Sequence, residues 1–326
     1  MSATTTNSSA PGTRGGAVVA GVDVGGTKIA LALLAGGTLG PLRTHSTDTR
    51  SPEALVAQLV DVIGSAGEAG AVGVAVPSVV DFATGRVRSS VNIPLADIPL
   101  REVLRERLGI PIYVDNDATC AALAEAYEDD GSLTARHLVM FTVGTGVGGG
   151  IVVEGRIYRG ATGAAAELGH TIVGADLRRA PFQHGEQFPQ PGSLESLAAG
   201  RTLSELAREH GIPDGQTARL ACGGDRAARA AVELVGRRLG VGIANAINTF
   251  DPDLVVIGGG ICAAGELLLA PAREEAARFT LTGVGTRTQI RTARYGPEAG
   301  VRGAALLACH ELAHEPVTSS EGHRVR

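Results

Sequence analysis

Apolar residues in the first part of the chain fall in short continuous runs separated by glycines. Residues 18–24 form one run, Gly25-Gly26-Thr27-Lys28 interrupts it, and residues 29–34 form the next. Runs this short, bounded by glycine, predict two buried strands joined by a tight turn, with Gly36-Gly37 as a second turn. Over residues 52–65 the spacing becomes helical, with Leu55, Leu59, Val62 and Ile63 on one face, Ser51 placed to cap and Pro52 in the first turn. Residues 72–76 read as a buried strand ended by Pro77, 99–108 as a helix, 111–114 as a strand and 117–128 as an Ala-rich helix. At His137 the pattern restarts. Residues 138–143 are apolar, the glycine-rich stretch 144–150 reads as a turn, and 151–153 are apolar again. A strand–glycine turn–strand unit therefore recurs about 120 residues after its first appearance, which predicts an internal duplication.

Downstream, residues 176–192 hold three prolines and little periodicity, so a loop is expected. Helices are predicted over 193–198, 203–210 and 226–250, and a strand over 254–257 that enters Gly258-Gly259-Gly260. A helix over 265–278, a strand over 289–293 and a helix over 301–314 complete the pattern. The first 16 residues are small and polar without an apolar segment, and read as a disordered leader rather than a secretory signal. The polar stretch 315–326 reads as a disordered tail.

The chain has 326 residues, more than the roughly 100–200 of an ordinary domain, so two domains are expected. A net charge of −5 argues against a protein that wraps nucleic acid. Aromatics make up 3% with no Trp, so Val, Leu, Ile and Ala must fill the cores. Cys120, Cys222, Cys262 and Cys309 form no C-x-x-C pair and read as buried, reduced, small apolar residues. No apolar run reaches the roughly 18 residues needed to span a bilayer, and a cytoplasmic location is the expectation. Of 29 basic residues Lys28 alone is lysine, and it lies in the first glycine turn.

That turn carries the first chemical signal. In Asp23-Val-Gly25-Gly26-Thr27-Lys28, two glycines bare backbone N–H groups to phosphate oxygens, Thr27 adds a hydroxyl and Lys28 a cation. Asp23 adds a carboxylate suited to hold Mg²⁺ through water. The spacing is not that of a Walker A loop. The second turn, Gly144-x-Gly146-x-x-Gly149, matches a dinucleotide fingerprint as a string, but a strand-like stretch follows where that fingerprint requires a helix. A second phosphate-facing hairpin offering Thr142, Gly144, Thr145 and Gly146 fits better. Gly258, Gly259 and Gly260 permit close backbone approach to a flat ring such as adenine, or simply a tight strand-to-helix connection.

The motifs D-V-G-G-T-K, D-N-D-A at 115–118, T-V-G-T-G-V-G-G-G, E-L-G-H at 167–170 and V-V-I-G-G-G at 255–260 occur in the order seen in ROK proteins. This ROK resemblance (repressors, open reading frames and sugar kinases) covers about residues 17–312. It implies an α/β, actin/hexokinase-like (ribonuclease H-like) duplicated fold, with ATP and sugar in a central cleft. The expected division is a smaller domain of residues 17–130 plus 299–314 and a larger one of 131–298. By the same resemblance Asp117 is the carboxylate that takes the proton of the attacking sugar hydroxyl. Asn92, Asn116, Glu167, His170 and Glu195 are its sugar contacts. Plainer readings stand beside these: Asp117 as a helix cap, and Glu195 as a first-turn carboxylate of a helix capped by Ser193.

Many members of the family bind structural zinc through a Cys-rich stretch after the G-H pair. Here no cysteine lies between Ala121 and Ala221, Ser193 takes the last Cys position, and His170 with His184 cannot complete a four-ligand site, so no zinc is expected. A second departure is Pro77-Ser78, where kinases of the family often carry Pro-Gly. The reading reached is an ATP- and Mg²⁺-dependent hexose kinase, glucokinase-like. The alternatives are a kinase of an N-acylated amino sugar or other hexose, and a non-catalytic sugar-sensing regulator. Repressors add a helix-turn-helix module that the 16 polar residues before the first strand do not supply. The resemblance implies a homodimer, and some relatives accept polyphosphate in place of ATP.

Overall fold

The computed structural model describes residues 18–90, 92–174 and 188–314. The expected leader over 1–16, residues 176–187 of the expected loop and the tail over 315–326 lie outside the described residues.

Two sheets dominate. The first contains β1 (Val19–Val24), β2 (Lys28–Ala35), β3 (Thr38–Leu39), β4 (Arg43–Ser46), β5 (Val72–Val76) and β8 (Ile112–Asn116), in the order β3-β2-β1-β5-β8 with β4 also on β2. Between β5 and β8 come a two-stranded ribbon, β6 (Ser78–Asp81) with β7 (Arg86–Ser90), and helix α2 (Leu100–Leu108). The second sheet contains β9 (Leu138–Val143), β10 (Val147–Val153), β11 (Arg156–Ile157), β12 (Leu254–Gly258) and β13 (Gln289–Thr292), in the order β11-β10-β9-β12-β13. In both, an antiparallel hairpin is followed by two parallel strands on the far side of its first strand. The duplication read from the glycine turns is thus a duplication of whole sheets.

Alternation along the strands sets the layers. In β1, Ala20, Val22 and Val24 enter an outer core with α1 (Pro52–Gly64) and α2, while Val19 faces inward. In β9, Val139, Phe141 and Val143 enter the other outer core with α7 (Arg226–Phe250) and α8 (Glu266–Phe279), while Leu138 and Met140 face inward. The inner space holds α3 (Asp117–Glu125) and α9 (Ala299–His314), and they are exchanged: α3 follows β8 yet packs on β9 and β10, and α9 follows β13 yet packs on β1 and β5. Each repeat thus closes the other.

The exchange requires very close approach. A Cβ on Gly73 of β5 would lie 1.8 Å from the carbonyl oxygen of Ala304, and one on Gly21 of β1 would lie 2.0 Å from that of Val301. Where α9 crosses α3, a Cβ on Gly303 would lie 1.8 Å from the Cys120 carbonyl oxygen.

Three expectations need correction. The stretch 144–150 is not all turn, because β10 begins at Val147 and Gly148, Gly149 and Gly150 pair with Thr142, Phe141 and Met140. Those glycines are strand residues whose missing side chains let α3 and the Ala166 carbonyl lie against the sheet. Cys222 is exposed rather than buried, at the last position of the short helix α6 (Thr217–Cys222). The Ala-rich helix also stops at Glu125, whose fully buried carboxylate accepts hydrogen bonds from Arg291 and from the backbone N–H groups of Arg294 and Tyr295. Among the described residues no helix is long and apolar enough to cross a membrane.

Gly73→Ala is therefore expected to lower stability by at least about 1–3 kcal/mol in a thermal or urea melt. Gly64→Ala, at a helical position with open space around it, is expected to leave stability unchanged or raise it by up to about 1 kcal/mol.

Candidate active site

A cleft of about 560 Å³ opens between the repeats. Asn92, Asn116, Asp117, Glu167, His170 and Glu195, the six residues expected at the sugar, all line it. Asp117 is the first residue of α3, and its Oδ1 accepts the N–H of Ala118 at 2.7 Å. It is not the cap. Asn116 is: its Oδ1 accepts the Thr119 N–H at 3.0 Å, while its Nδ2 donates to the Ser78 carbonyl at 3.3 Å. Capping thus falls to the neighbour, and Asp117 lines the cleft. Burial pushes the Asp117 carboxyl above the ordinary carboxylate range, against hydrogen bonds from the Ala118 and Asp117 backbone and from Asn116.

Asp117 also lines a second cavity of about 490 Å³, shared with Asp23, Thr142, Gly258, Gly259, Gly260, Ala299 and Gly300. Of the residues lining both cavities, Asp117, Ala118, Thr142 and Gly259, Asp117 alone is ionisable. Asp23 and Thr142 occupy equivalent places in the two hairpins, fifth in β1 and fifth in β9. Burial, and then the charge of Asp117, push Asp23 up to about 6, with Lys28 opposing. Gly300 makes room for it, since a Cβ there would lie 2.4 Å from Asp23 Oδ2. The first residues of both α3 and α9 line this cavity, so two helix N-termini face one space, an arrangement suited to phosphate.

The tip of the first hairpin stands apart from these walls. Thr27 and Lys28 are exposed, and Gly25, Gly26, Thr27 and Lys28 line neither cavity. Gly26 instead abuts the backbone of Asn92, and Thr47 braces the turn through its Oγ1 on the Gly25 carbonyl at 2.7 Å. The second hairpin lies inside: Gly144 and Gly146 line the cleft, and Gly144 and Thr145 line a third hollow of about 430 Å³ with Leu203, Gly260 and Ile261. Gly259 has φ +89°, and a Cβ on it would lie 2.3 Å from the Val143 carbonyl, so both the left-handed backbone and the space demand glycine there.

Glu167 and His170 bracket a single 3₁₀ turn, Leu168–His170, with His170 Nε2 3.8 Å from Glu167 Oε2. Residues three apart eclipse in a 3₁₀ turn, so both side chains reach the cleft together. Ser193 caps α4 (Leu194–Ala198) as expected, but Glu195 is half-buried rather than a free surface carboxylate: its Oε2 accepts the Val147 N–H at 2.8 Å. This cleft carboxylate thus braces the second hairpin directly.

Sequence reasoning marked Ser78 only as a departure from the family pattern; it missed Ser90, whose hydroxyl meets that of Ser78 at 2.9 Å in the cleft wall, and Ala299 and Gly300 at the start of α9. The available signal for the latter was Gly296-Pro297, a helix-entry pattern just ahead of an Ala-rich helix. Among the described residues no group of three or more His, Cys, Asp or Glu is assembled to hold a metal ion. His184 lies outside the described residues.

A duplicated α/β fold with exchanged inner helices and a carboxylate-lined cleft between its repeats is the actin/hexokinase-like class. The sequence profile of the ROK family matches residues 19–311. A glucokinase of Halalkalibacterium halodurans is 33% identical over 317 residues, covering 88% of this chain and 93% of the relative. Among solved structures, a ROK family glucokinase from Streptomyces griseus in complex with glucose and AMPPNP is 30% identical with a TM-score of 0.72, over 90% of this chain and 99% of that one. The ROK hexokinase of Thermus thermophilus is 34% identical with a TM-score of 0.75, over the same shares. The chain belongs to the ROK family.

Because folding raises Asp23 from 3.8 to about 6, the stability linked to it is full below pH 3.8 and is lost as pH rises through about 6. Asp23→Asn is expected to raise the melting temperature above pH 7, by the equivalent of up to roughly 3 kcal/mol, and to flatten its fall between pH 4 and 7. Thermal melts of both proteins across that range check the sign.

Proposed function

We propose that this protein transfers the γ-phosphoryl group of ATP to the 6-hydroxyl of a hexose, glucose foremost, with Asp117 as general base. The observation that carries the reading is the position of Asp117: among the lining residues it is the ionisable group common to the acceptor cleft and the cavity where two helices begin. On the acceptor side Asn92, Asn116, Glu167, His170 and Glu195 present amide, imidazole and carboxylate groups to one polyol, enough to fix a single hydroxyl toward Asp117. On the donor side Thr142, Gly144, Thr145, Gly146, the first turns of α3 and α9 and the Gly25–Lys28 hairpin receive the phosphates, and the hollow beside Gly260 and Ile261 takes the flat base.

Asp117 accepts the proton of the hydroxyl as its oxygen attacks the γ-phosphorus in line, and the raised affinity of its buried carboxyl for a proton favours that transfer. Asp23 fits a Mg²⁺ held through water: its carboxylate is buried and crowded by Asp117, and Lys28 is the single cation acting on it. When bound, the metal would neutralise charge on the phosphates. Thr27 and Lys28 reach the phosphates on closure of the cleft. The smaller lobe comprises residues 17–130 and 299–314 and the larger 131–298, so closure hinges where α3 and α9 cross. The protein acts as a homodimer and carries no zinc.

Asp117→Asn is expected to lower kcat by roughly 10²–10⁴-fold while the calorimetric affinity for glucose changes little; near-normal ADP release would refute the assignment. A screen of ADP release over glucose, mannose, fructose and N-acetylated amino sugars, with ATP and polyphosphate as donors, names the pair. Metal analysis of the purified protein is expected to find no stoichiometric zinc, and one equivalent per chain would overturn that part.

A further inference from the structure

A separate cavity of about 230 Å³ shares no lining residue with the cleft. Its floor is apolar, with Leu123, Ile157 and Leu307, and its polar wall holds Arg156, Arg159, His310, Glu311 and His314. The carboxylates nearby are committed to one of the two guanidiniums. Arg159 Nε donates to Asp115 Oδ2 at 2.7 Å, its Nη2 to Glu311 Oε1 at 3.3 Å, and its guanidinium stacks 3.4 Å from the Phe82 ring centroid.

Arg156 has no carboxylate partner among the described residues. Its Nη2 meets Nε2 of His314. The other ring nitrogen of His314, Nδ1, faces the His310 carbonyl, which can only accept, so Nδ1 carries the hydrogen and Nε2 offers Arg156 a lone pair. A neutral ring nitrogen is a poorer partner for a guanidinium fork than an oxyanion with two parallel acceptors. Burial, then the Arg156 charge, push His310 down to about 4, so that ring adds no charge of its own. Its edge packs on Tyr127, whose hydroxyl donates to the Gly155 carbonyl and is pushed up to about 12 by burial, and so remains a neutral donor. The wall thus offers one uncompensated cation above an apolar floor, in a space below the roughly 300 Å³ of sites for drug-sized ligands.

We propose that this cavity is a second binding site, for a small phosphate monoester. Its oxyanion takes the Arg156 fork in place of His314, and its carbon portion lies on Leu123, Ile157 and Leu307. The site adjoins the cleft mechanically, because the Arg159 carbonyl accepts the Ala165 N–H at 3.1 Å and Ala164, Ala165 and Ala166 line the cleft.

Calorimetric titration of inorganic phosphate, and separately of glucose 6-phosphate, into the full chain saturated with AMPPNP and glucose tests this without any turnover, and so independently of the catalytic role of Asp117. The expected result is one site per chain for at least one titrant, weakened about tenfold or more in Arg156→Gln and in Arg156→Glu, with kcat in the absence of phosphate within about twofold of the parent. Equal affinity for the two titrants means the phosphoryl group alone is read; tighter glucose 6-phosphate means the ester is read too. No saturable binding of either, or binding undiminished in Arg156→Gln with a melt showing it folded, overturns the proposal.

Discussion

Two helices that begin at one cavity are the constraint on which the rest of this structure depends. α3 and α9 each leave the last strand of one sheet and lie against the other sheet, so their N-termini converge beside Asp23 and Asp117. Unbonded N–H groups at helix starts favour negative charge nearby, yet both carboxyls are still pushed upward, because burial outweighs that help. A space that strains its own anions while aiming positive helix ends at them is arranged for a polyanion accompanied by counter-charge. The glycines at 21, 73, 300 and 303 are the steric condition for bringing the helices this close.

The proposed acceptor side is built on less regular structure, and it is tied to the proposed donor side by main-chain contacts. Glu195 holds the N–H of Val147, and the Gly200 N–H holds the Gly144 carbonyl at 2.7 Å, so α4 and the start of α5 (Gly200–Arg208) grip both ends of the second hairpin. The loop carrying Gly163 presses on the ribbon of the first repeat, where a Cβ would lie 2.2 Å from the Val80 carbonyl, and Arg88 reaches the Thr162 carbonyl at 3.3 Å. Groups from both repeats therefore share one wall. A displacement of either is felt by the residues proposed to hold the sugar and by the second glycine turn alike.

Much of this was legible in the residues. The two glycine turns spaced about 120 residues apart announced the duplication, because a tight turn between apolar runs has few other structural uses. Most of the six residues expected at the sugar sit at element boundaries that turn or cap chemistry marks, as Asn116 does before α3 and Glu195 after Ser193. The rest was hidden for physical reasons. Local pattern does not report that α9 packs on the opposite repeat, since that contact joins residues 73 and 304. Nor does it distinguish glycines that turn from glycines that admit a helix, which is why Gly148–Gly150 read as a loop. Short edge strands such as β3, β4 and β11 bury too little to leave a periodic signature.

The exchanged helices also bear on how the molecule is made. The inner face of β1 and β5 approaches its cover through Gly21 and Gly73, and that cover is a helix translated more than two hundred residues later. Until residue 314 has cleared the ribosome, the earliest-made sheet stays open on one side. The N-terminal repeat therefore cannot close its own core from its own residues, and the inner face of its sheet waits for α9.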